Sequence, residues 1–226
     1  MFPVAILLGG KATRLGSIAK ETPKSLLEVG QRPFLYYQLS MLVQEGVESV
    51  ILCLGHLSDQ IVEYIEKDFQ HKIDITYSYD GNKPLGTGGA IKKVIKGLDS
   101  PLFVMYGDSL LNVSFKKVKS SYEKGRGPLM VIFENNNQFD QSNVYYNNQK
   151  TFYNKLTPHK FSNHIDYGLS IFEETHFRNT VNNFDLSLVQ EKFSKLGNLQ
   201  SYISKERFYE IGSLEGLAEA RSKFSK

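Results

Sequence analysis

A short apolar run that stops at a glycine pair constrains this chain more than any other stretch. Val4 to Leu8 reads as a buried parallel strand, and Gly9-Gly10 follow at once. Glycines at a strand's carboxyl end let the backbone turn sharply and let a ligand reach bare peptide groups. Lys11, Arg14, Lys20 and Lys24 come next, opposed only by Glu21. Cations gathered around a flexible loop make an anion site, with phosphate the expected anion. Gly9, Gly10 and Gly16 do not form the dinucleotide fingerprint G-x-G-x-x-G, and no G-x-x-x-x-G-K-[ST] loop is present.

The remaining periodicities alternate in type. Pro33 to Glu45 carries Leu35, Leu39 and Leu42 at helical spacing, Val50 to Leu54 is a second buried strand, and Ser58 to Phe69 repeats Ile61, Ile65 and Phe69 every four residues. Ile73 to Tyr79 reads as a strand, the Gly-rich stretch Leu85 to Ala90 opens a helix carrying Ile91, Val94 and Ile95, and Pro101 to Tyr106 is a further buried strand. Such a β-α-β-α-β order calls for a parallel sheet with right-handed crossovers. Ser114 to Lys124 is predicted as a surface helix and Leu129 to Phe133 as a strand. Beyond them the chain turns Tyr-rich and Asn-punctuated: Ser142 to Tyr146, Thr151 to Leu156 and Ile165 to Phe172 suit antiparallel or mixed strands. A helix over Leu186 to Leu196, strands at Leu199 to Ile203 and Phe208 to Ile211, and a closing helix at Leu214 to Phe224 complete the pattern. The expected fold is α/β: a twisted, mostly parallel sheet flanked by helices, with a small β-rich lobe late in a single domain spanning 1–226.

Composition removes several classes. A net charge of +3 over 226 residues, spread evenly apart from the first loop, does not announce nucleic acid. No apolar run approaches the length of a membrane span. Cys53 is the only cysteine and lies in an apolar strand, so a buried thiol in a reducing compartment, the cytoplasm, is expected.

The order Gly9-Gly10-Lys11-Ala12-Thr13-Arg14-Leu15 followed by Pro23-Lys24 resembles the GGxGTRL and PK signature of the sugar-1-phosphate nucleotidylyltransferases. Ala12 departs from the commoner glycine. The resemblance extends along the chain. Leu85-Gly86-Thr87-Gly88-Gly89-Ala90 looks like the family's base-recognition loop, and Gly107-Asp108 like its metal-binding Gly-Asp. Phe208 to Ser213 resembles its W-x-D-I-G-T segment, with Glu210 in place of the aspartate. Lys155 resembles the lysine of its acceptor-binding E-K segment, and Asp166-Tyr167-Gly168 stands where the family has N-x-G; Asn143 joins them as an acceptor candidate.

The resemblance implies a Rossmann-like nucleotidyltransferase fold, Mg²⁺ as cofactor, and an NTP and a sugar 1-phosphate as partners. Nucleic acid and membrane are not implied, and a homo-oligomer is compatible. It assigns Arg14 and Lys24 to catalysis and Leu8, Gly9, Gly10, Thr13, Gly86, Thr87 and Gly88 to the nucleotide. Asp108 and Glu210 fall to the metal, and Asn143, Lys155 and Asp166 to the acceptor. The implied reaction is an in-line attack of a sugar phosphate oxygen on the α-phosphorus, which needs no protein nucleophile. The loop leans towards guanylyl or uridylyl transfer to a heptose or hexose 1-phosphate. Two rivals stay open: a cytidylyltransferase for a non-sugar phosphate, and a non-catalytic homologue that binds a nucleotide sugar.

Overall fold

The computed structural model describes residues 1–10, 15, 16, 18, 20–69, 73–81 and 83–224. Its centre is β1 (Val4–Leu7), hydrogen-bonded in parallel to β4 (Ser49–Leu54) on one side and β6 (Leu102–Tyr106) on the other. Val4, Ala5 and Ile6 are fully buried, because a strand with parallel neighbours on both sides and helices on both faces meets no water. Val4 and Ile6 each contribute about 1.5–3 kcal/mol by leaving water. β5 (Asp74–Tyr79) extends the parallel half outward from β4.

Helices cover both faces. On one face lie α1 (Phe34–Gln44), α2 (Ser58–Asp68) and α4 (Phe115–Ser120), whose Leu35, Leu39, Ile61, Ile65 and Phe115 pack with the largest core cluster. On the other lie α3 (Gly86–Ile95) and α5 (Ser187–Lys195), packed through Ile91, Ile95 and Val189. The expected helix at 114–124 is only six residues long, for after Ser120 the chain turns towards Gly125, which takes a positive φ of 81°.

The Tyr-rich strands extend the same sheet rather than forming a body of their own. β11 (His164–Phe172) runs antiparallel to β6, to β8 (Leu129–Glu134) and, at His164, to β9 (Val144–Asn147). β10 (Lys150–Tyr153) edges β9, and β12 (Gln200–Ser204) lies parallel to β8, giving nine strands in all. Between Asp166 and Ser170 the register of β11 slips against β8, with Gly168 at a φ of +86°. A bulge of this kind re-aims a side chain, here Asp166.

Three short strands were not foreseen. β2 (Glu28–Val29) and β3 (Arg32–Pro33) form a small hairpin, while β7 (Ser109–Leu110) pairs antiparallel with β13 (Tyr209–Glu210) before the closing α6 (Leu214–Phe224). Among the described residues no helix is long and apolar enough to cross a membrane.

Candidate active site

The parallel strands β1, β4, β5 and β6 deliver their carboxyl ends to one cleft of about 670 Å³. Leu8, Gly9 and Gly10 follow β1, Gly55 and His56 follow β4, Asp80 and Gly81 follow β5, and Gly107 and Asp108 follow β6. Ligands of open α/β sheets bind at this edge because the strand-to-helix loops converge there.

The phosphate end is set by one ion pair. Lys24 begins a short 3-10 turn, Lys24–Leu26, behind Pro23, and its Nζ donates to Asp108 Oδ2 at 2.6 Å. Both side chains are about one-fifth exposed, so each charge has its counterion yet both face the cleft. Beside them Ser25, 4% exposed, keeps a hydroxyl without a protein partner at the cleft wall. Among the described cleft residues Lys24 is the cation nearest the strand ends that a phosphate would meet.

Asp108 is held from two sides. Gln38, fully buried on α1, donates through Nε2 to Tyr106 O at 3.1 Å and Ser109 O at 2.8 Å, and Ile211 N donates to Asp108 O at 2.9 Å. Gln38 was missed in the sequence, although it interrupts the apolar stripe of Leu35, Leu39 and Leu42. A polar residue on a helix's buried stripe signals a backbone that needs a donor.

Glu210 is one strand away from Asp108, opposite Ser109 in the β7–β13 ladder. Its carboxylate, however, does not line the cleft. It accepts from Gly212 N, from Ser213 N at 3.1 Å and from the Ser213 hydroxyl, and so caps the entry to α6. No group of three or more His, Cys, Asp or Glu with metal-holding geometry occurs among the described residues. Asp108 suits Mg²⁺, which takes one or two carboxylates and completes its shell with phosphate oxygens and water; Glu210 suits it only on leaving the turn.

The opposite end of the cleft is formed by the Gly-rich segment, which is the first turn of α3 rather than a free loop. Gly86 has a φ of +70° and would place a Cβ 2.5 Å from Phe184 O, so only glycine admits this approach. Thr87 Oγ1 accepts from Leu186 N at 2.8 Å. Asp80 faces this turn: its Oδ2 accepts from Leu85 N at 3.3 Å and sits 3.6 Å from where a Cβ on Gly9 would be. Asp80, like Asp108, is a carboxylate at the end of a parallel strand, and that position is the signal that would have found it. Cys53 lines the floor with its thiol pushed up to about 12, chiefly by burial and further by Asp80, so it stays protonated.

None of the acceptor candidates lines the cleft; of the three, Asp166 acts on Tyr106, the last residue of β6 and part of the cleft wall. Asn143 Oδ1 accepts from Asp166 N at 3.0 Å, and Asp166 Oδ1 accepts from Gly168 N at 3.0 Å. Burial lifts the Asp166 carboxyl to about 6 against the opposing hydrogen bond from Gly168 and the charge of Lys155. Lys155 Nζ donates to Asp185 Oδ2 at 2.7 Å. Burial also drives the Tyr106 phenol well up, helped by Asp166 and Asp185, so it remains a neutral donor. Tyr106 and Asp185 had no signal in local sequence pattern. Lys11, Ala12, Thr13 and Arg14 lie outside the described residues.

A glycine-bearing loop after the first strand, a lysine paired to a carboxylate after a central strand and a second glycine turn thus face one another across the cleft, and the chain belongs to the nucleotidyl transferase family, whose profile matches residues 4–220. Among sequence relatives it is 35% identical over 136 residues to the D-glycero-alpha-D-manno-heptose 1-phosphate guanylyltransferase of Campylobacter jejuni subsp. jejuni serotype O:2, covering 60% of this chain and 59% of the relative. A protein of the same name from Aneurinibacillus thermoaerophilus is 33% identical over 137 residues, again 60% and 59%. The chain thus spans less than two thirds of these relatives' length. The crystal structure of HddC from Yersinia pseudotuberculosis superposes with a TM-score of 0.84 at 26% identity, over 99% of this chain and all of that one. The same protein complexed with GMP-PN gives 0.80 at 25%, with the same coverage.

Proposed function

We propose that the chain transfers a guanylyl group from GTP to a sugar 1-phosphate, a heptose or hexose, with release of pyrophosphate. The observation that carries transfer is the Lys24–Asp108 pair at the carboxyl ends of the parallel strands. Asp80 favours guanine. The guanine edge offers N1–H and the N2 amino group as neighbouring donors, and one carboxylate accepts from both; uracil and thymine offer a single N–H on that edge. The relatives named as guanylyltransferases and the neighbour complexed with GMP-PN support the same base.

In the proposed reaction an acceptor phosphate oxygen forms a bond to the α-phosphorus. The bond from that phosphorus to the α–β bridging oxygen breaks, and pyrophosphate leaves with the electron pair. Lys24 carries three N–H donors, of which Asp108 takes one, so the ammonium can hold Asp108 and a phosphate oxygen together. As charge grows on the transferring phosphoryl oxygens, that fixed ammonium stabilises it without moving. Asp108 would hold Mg²⁺, with Glu210 as a second oxygen once it releases its turn; the metal would neutralise and orient the triphosphate. Asn143, Lys155 and Asp166 take the sugar phosphate beside Tyr106. The cytoplasm is the proposed compartment, in keeping with a single buried thiol.

The test is a pyrophosphate-release screen of four nucleotides against mannose, glucose and heptose 1-phosphates in Mg²⁺. GTP with one of the sugar phosphates is expected to give the highest rate. Absence of release from every pair would overturn the reading, and a preference for another base would overturn its guanylyl part.

A further inference from the structure

Residues 182–187 cross from the glycine turn of α3 to the acceptor lysine, and every step of that crossing is hydrogen-bonded. Phe184 N donates to Leu85 O at 3.1 Å, Gly88 N donates to Phe184 O at 2.9 Å, and Asn183 Nδ2 donates to Pro84 O at 2.6 Å. Leu186 N donates to Thr87 Oγ1 at 2.8 Å. A Cβ on Gly88 would lie 2.2 Å from the Phe184 ring, so the segment is seated against the turn as closely as backbone permits. Between the Phe184 and Leu186 anchors stands Asp185. Its Oδ1 accepts from Ser187 N at 2.9 Å and its Oδ2 from Lys155 Nζ at 2.7 Å.

We infer that Asp185 is a positioning residue for Lys155, and that Thr87, through Leu186, fixes Asp185, so that the turn assigned to the nucleotide base sets the lysine assigned to the acceptor phosphate. The inference rests on the transferase reading above and gives Thr87 a task that the sequence did not suggest. A free lysine on a four-carbon stem loses rotamer freedom when it grips a phosphate; Asp185 has already restricted it, and two of its three N–H groups stay available. Hydrogen bonds from Lys155 and Ser187 outweigh the upward push of burial on the Asp185 carboxyl and hold it below the ordinary carboxylate range, so the anchor is charged wherever the enzyme would work.

Initial rates are measured with GTP and mannose 1-phosphate, each varied against a saturating amount of the other, for wild type, Asp185→Asn, Asp185→Glu, Thr87→Val, Thr87→Ser and the double variant Asp185→Asn/Thr87→Val. Asparagine can still accept from Ser187 N, so Asp185→Asn removes the charge and leaves the start of α5 in place. The expected result is a rise of about tenfold in the KM for mannose 1-phosphate in Asp185→Asn, with a smaller change in the KM for GTP. Thr87→Val should raise the same constant, Thr87→Ser and Asp185→Glu should restore most of it, and the double variant should be no worse than Asp185→Asn, because both act through one lysine. A rise confined to the KM for GTP, additive effects in the double variant, or a KM for mannose 1-phosphate within twofold of wild type in Asp185→Asn would each overturn the inference. If wild type prefers another nucleotide or sugar phosphate, the guanylyl or sugar reading fails on its own, and the variants are compared on that pair.

Discussion

The two halves of the sheet build their share of the site by different means. In the parallel half, chemistry follows directly from strand ends: Gly9 after β1, Asp80 after β5 and Asp108 after β6 all fall within two residues of a strand. In the antiparallel half Asn143 also adjoins a strand, one residue before β9, and Lys155 follows β10 by two, but neither lines the cleft and Asp166 lies inside β11. Asp166 sits at a bulge in β11, Asn143 accepts a hydrogen bond from Asp166 N, and Lys155 is held from residue 185. The difference teaches where substitution is costly. The proposed donor half depends on single side chains aimed by a rigid frame, and the proposed acceptor half on contacts between segments far apart in the chain.

Breaking the donor half should give the largest effect. Lys24→Ala is expected to lower kcat by about a hundredfold or more, the scale for removing one donor that acts on developing charge, about 2.7–4 kcal/mol. Steady-state kinetics with saturating sugar phosphate read it. A loss confined to KM would make Lys24 a binding group only.

The acceptor half should answer through pH. In the folded chain the Asp166 carboxyl titrates near 6 instead of 3.8, so the native state binds the extra proton. The stability tied to that proton is fully present below the unfolded value and is lost as pH rises through about 6. Asp166→Asn keeps an acceptor for Gly168 N and carries no charge. It should therefore gain on wild type as pH goes from 4 to 7, by about 2 kcal/mol once partial exposure is allowed for. Urea unfolding at the two pH values measures the gain, and an equal difference at both would remove the buried-charge account.

A sharper contrast lies within the donor half itself. Asp80→Asn replaces one acceptor oxygen by an amino group, and should cost about tenfold in kcat/KM for GTP while changing UTP less, on the scale of one lost base contact. Equal losses with both nucleotides would place Asp80 in loop support through Leu85. The smallest effect is expected at the seam between β7 and α6. Glu210→Gln still accepts from the 212–213 turn, so the Mg²⁺ needed for half-maximal rate should rise a few-fold with little change in thermal midpoint. An unmoved Mg²⁺ titration with a lowered midpoint would leave Glu210 as a helix cap alone.

What could be read in advance tracks the same divide. The order β1, α1, β4, α2, β5, α3, β6 was legible because buried parallel strands and amphipathic helices carry their periods locally, and Gly-Asp or Pro-Lys sits beside a strand or turn in plain view; the two-residue strands β2 and β3 carry no such period. Asp80, between the strand ending at Tyr79 and the glycine-rich helix, drew no functional reading, although its place after Tyr79 repeats the logic of Asp108 after Tyr106. Gln38 was hidden by its apolar neighbours on α1. The bulge at Gly168, the Phe184 contact with α3 and the Asp185–Lys155 pair depend on segments brought together by the fold over separations of 30 to 99 residues, which no local pattern encodes. Glu210 shows the converse. Its position in the chain was evident, but the side chain turned to the nearest bare N–H groups, as a carboxylate ahead of a helix tends to do.

β11 carries a consequence for how the molecule breathes. One strand of nine residues is shared by β6 on the parallel side and by β8 and β9 on the other. Neither side can peel away without severing the ladder of its neighbour, so the two should open as one unit. Amide protons of Ile6 and Val104 should then exchange with deuterium at the same free energy as those of Val131 and Ile171. Fraying would be confined to the rims, at β5, β10 and β12, and the geometry of the central cleft would outlast any loosening there.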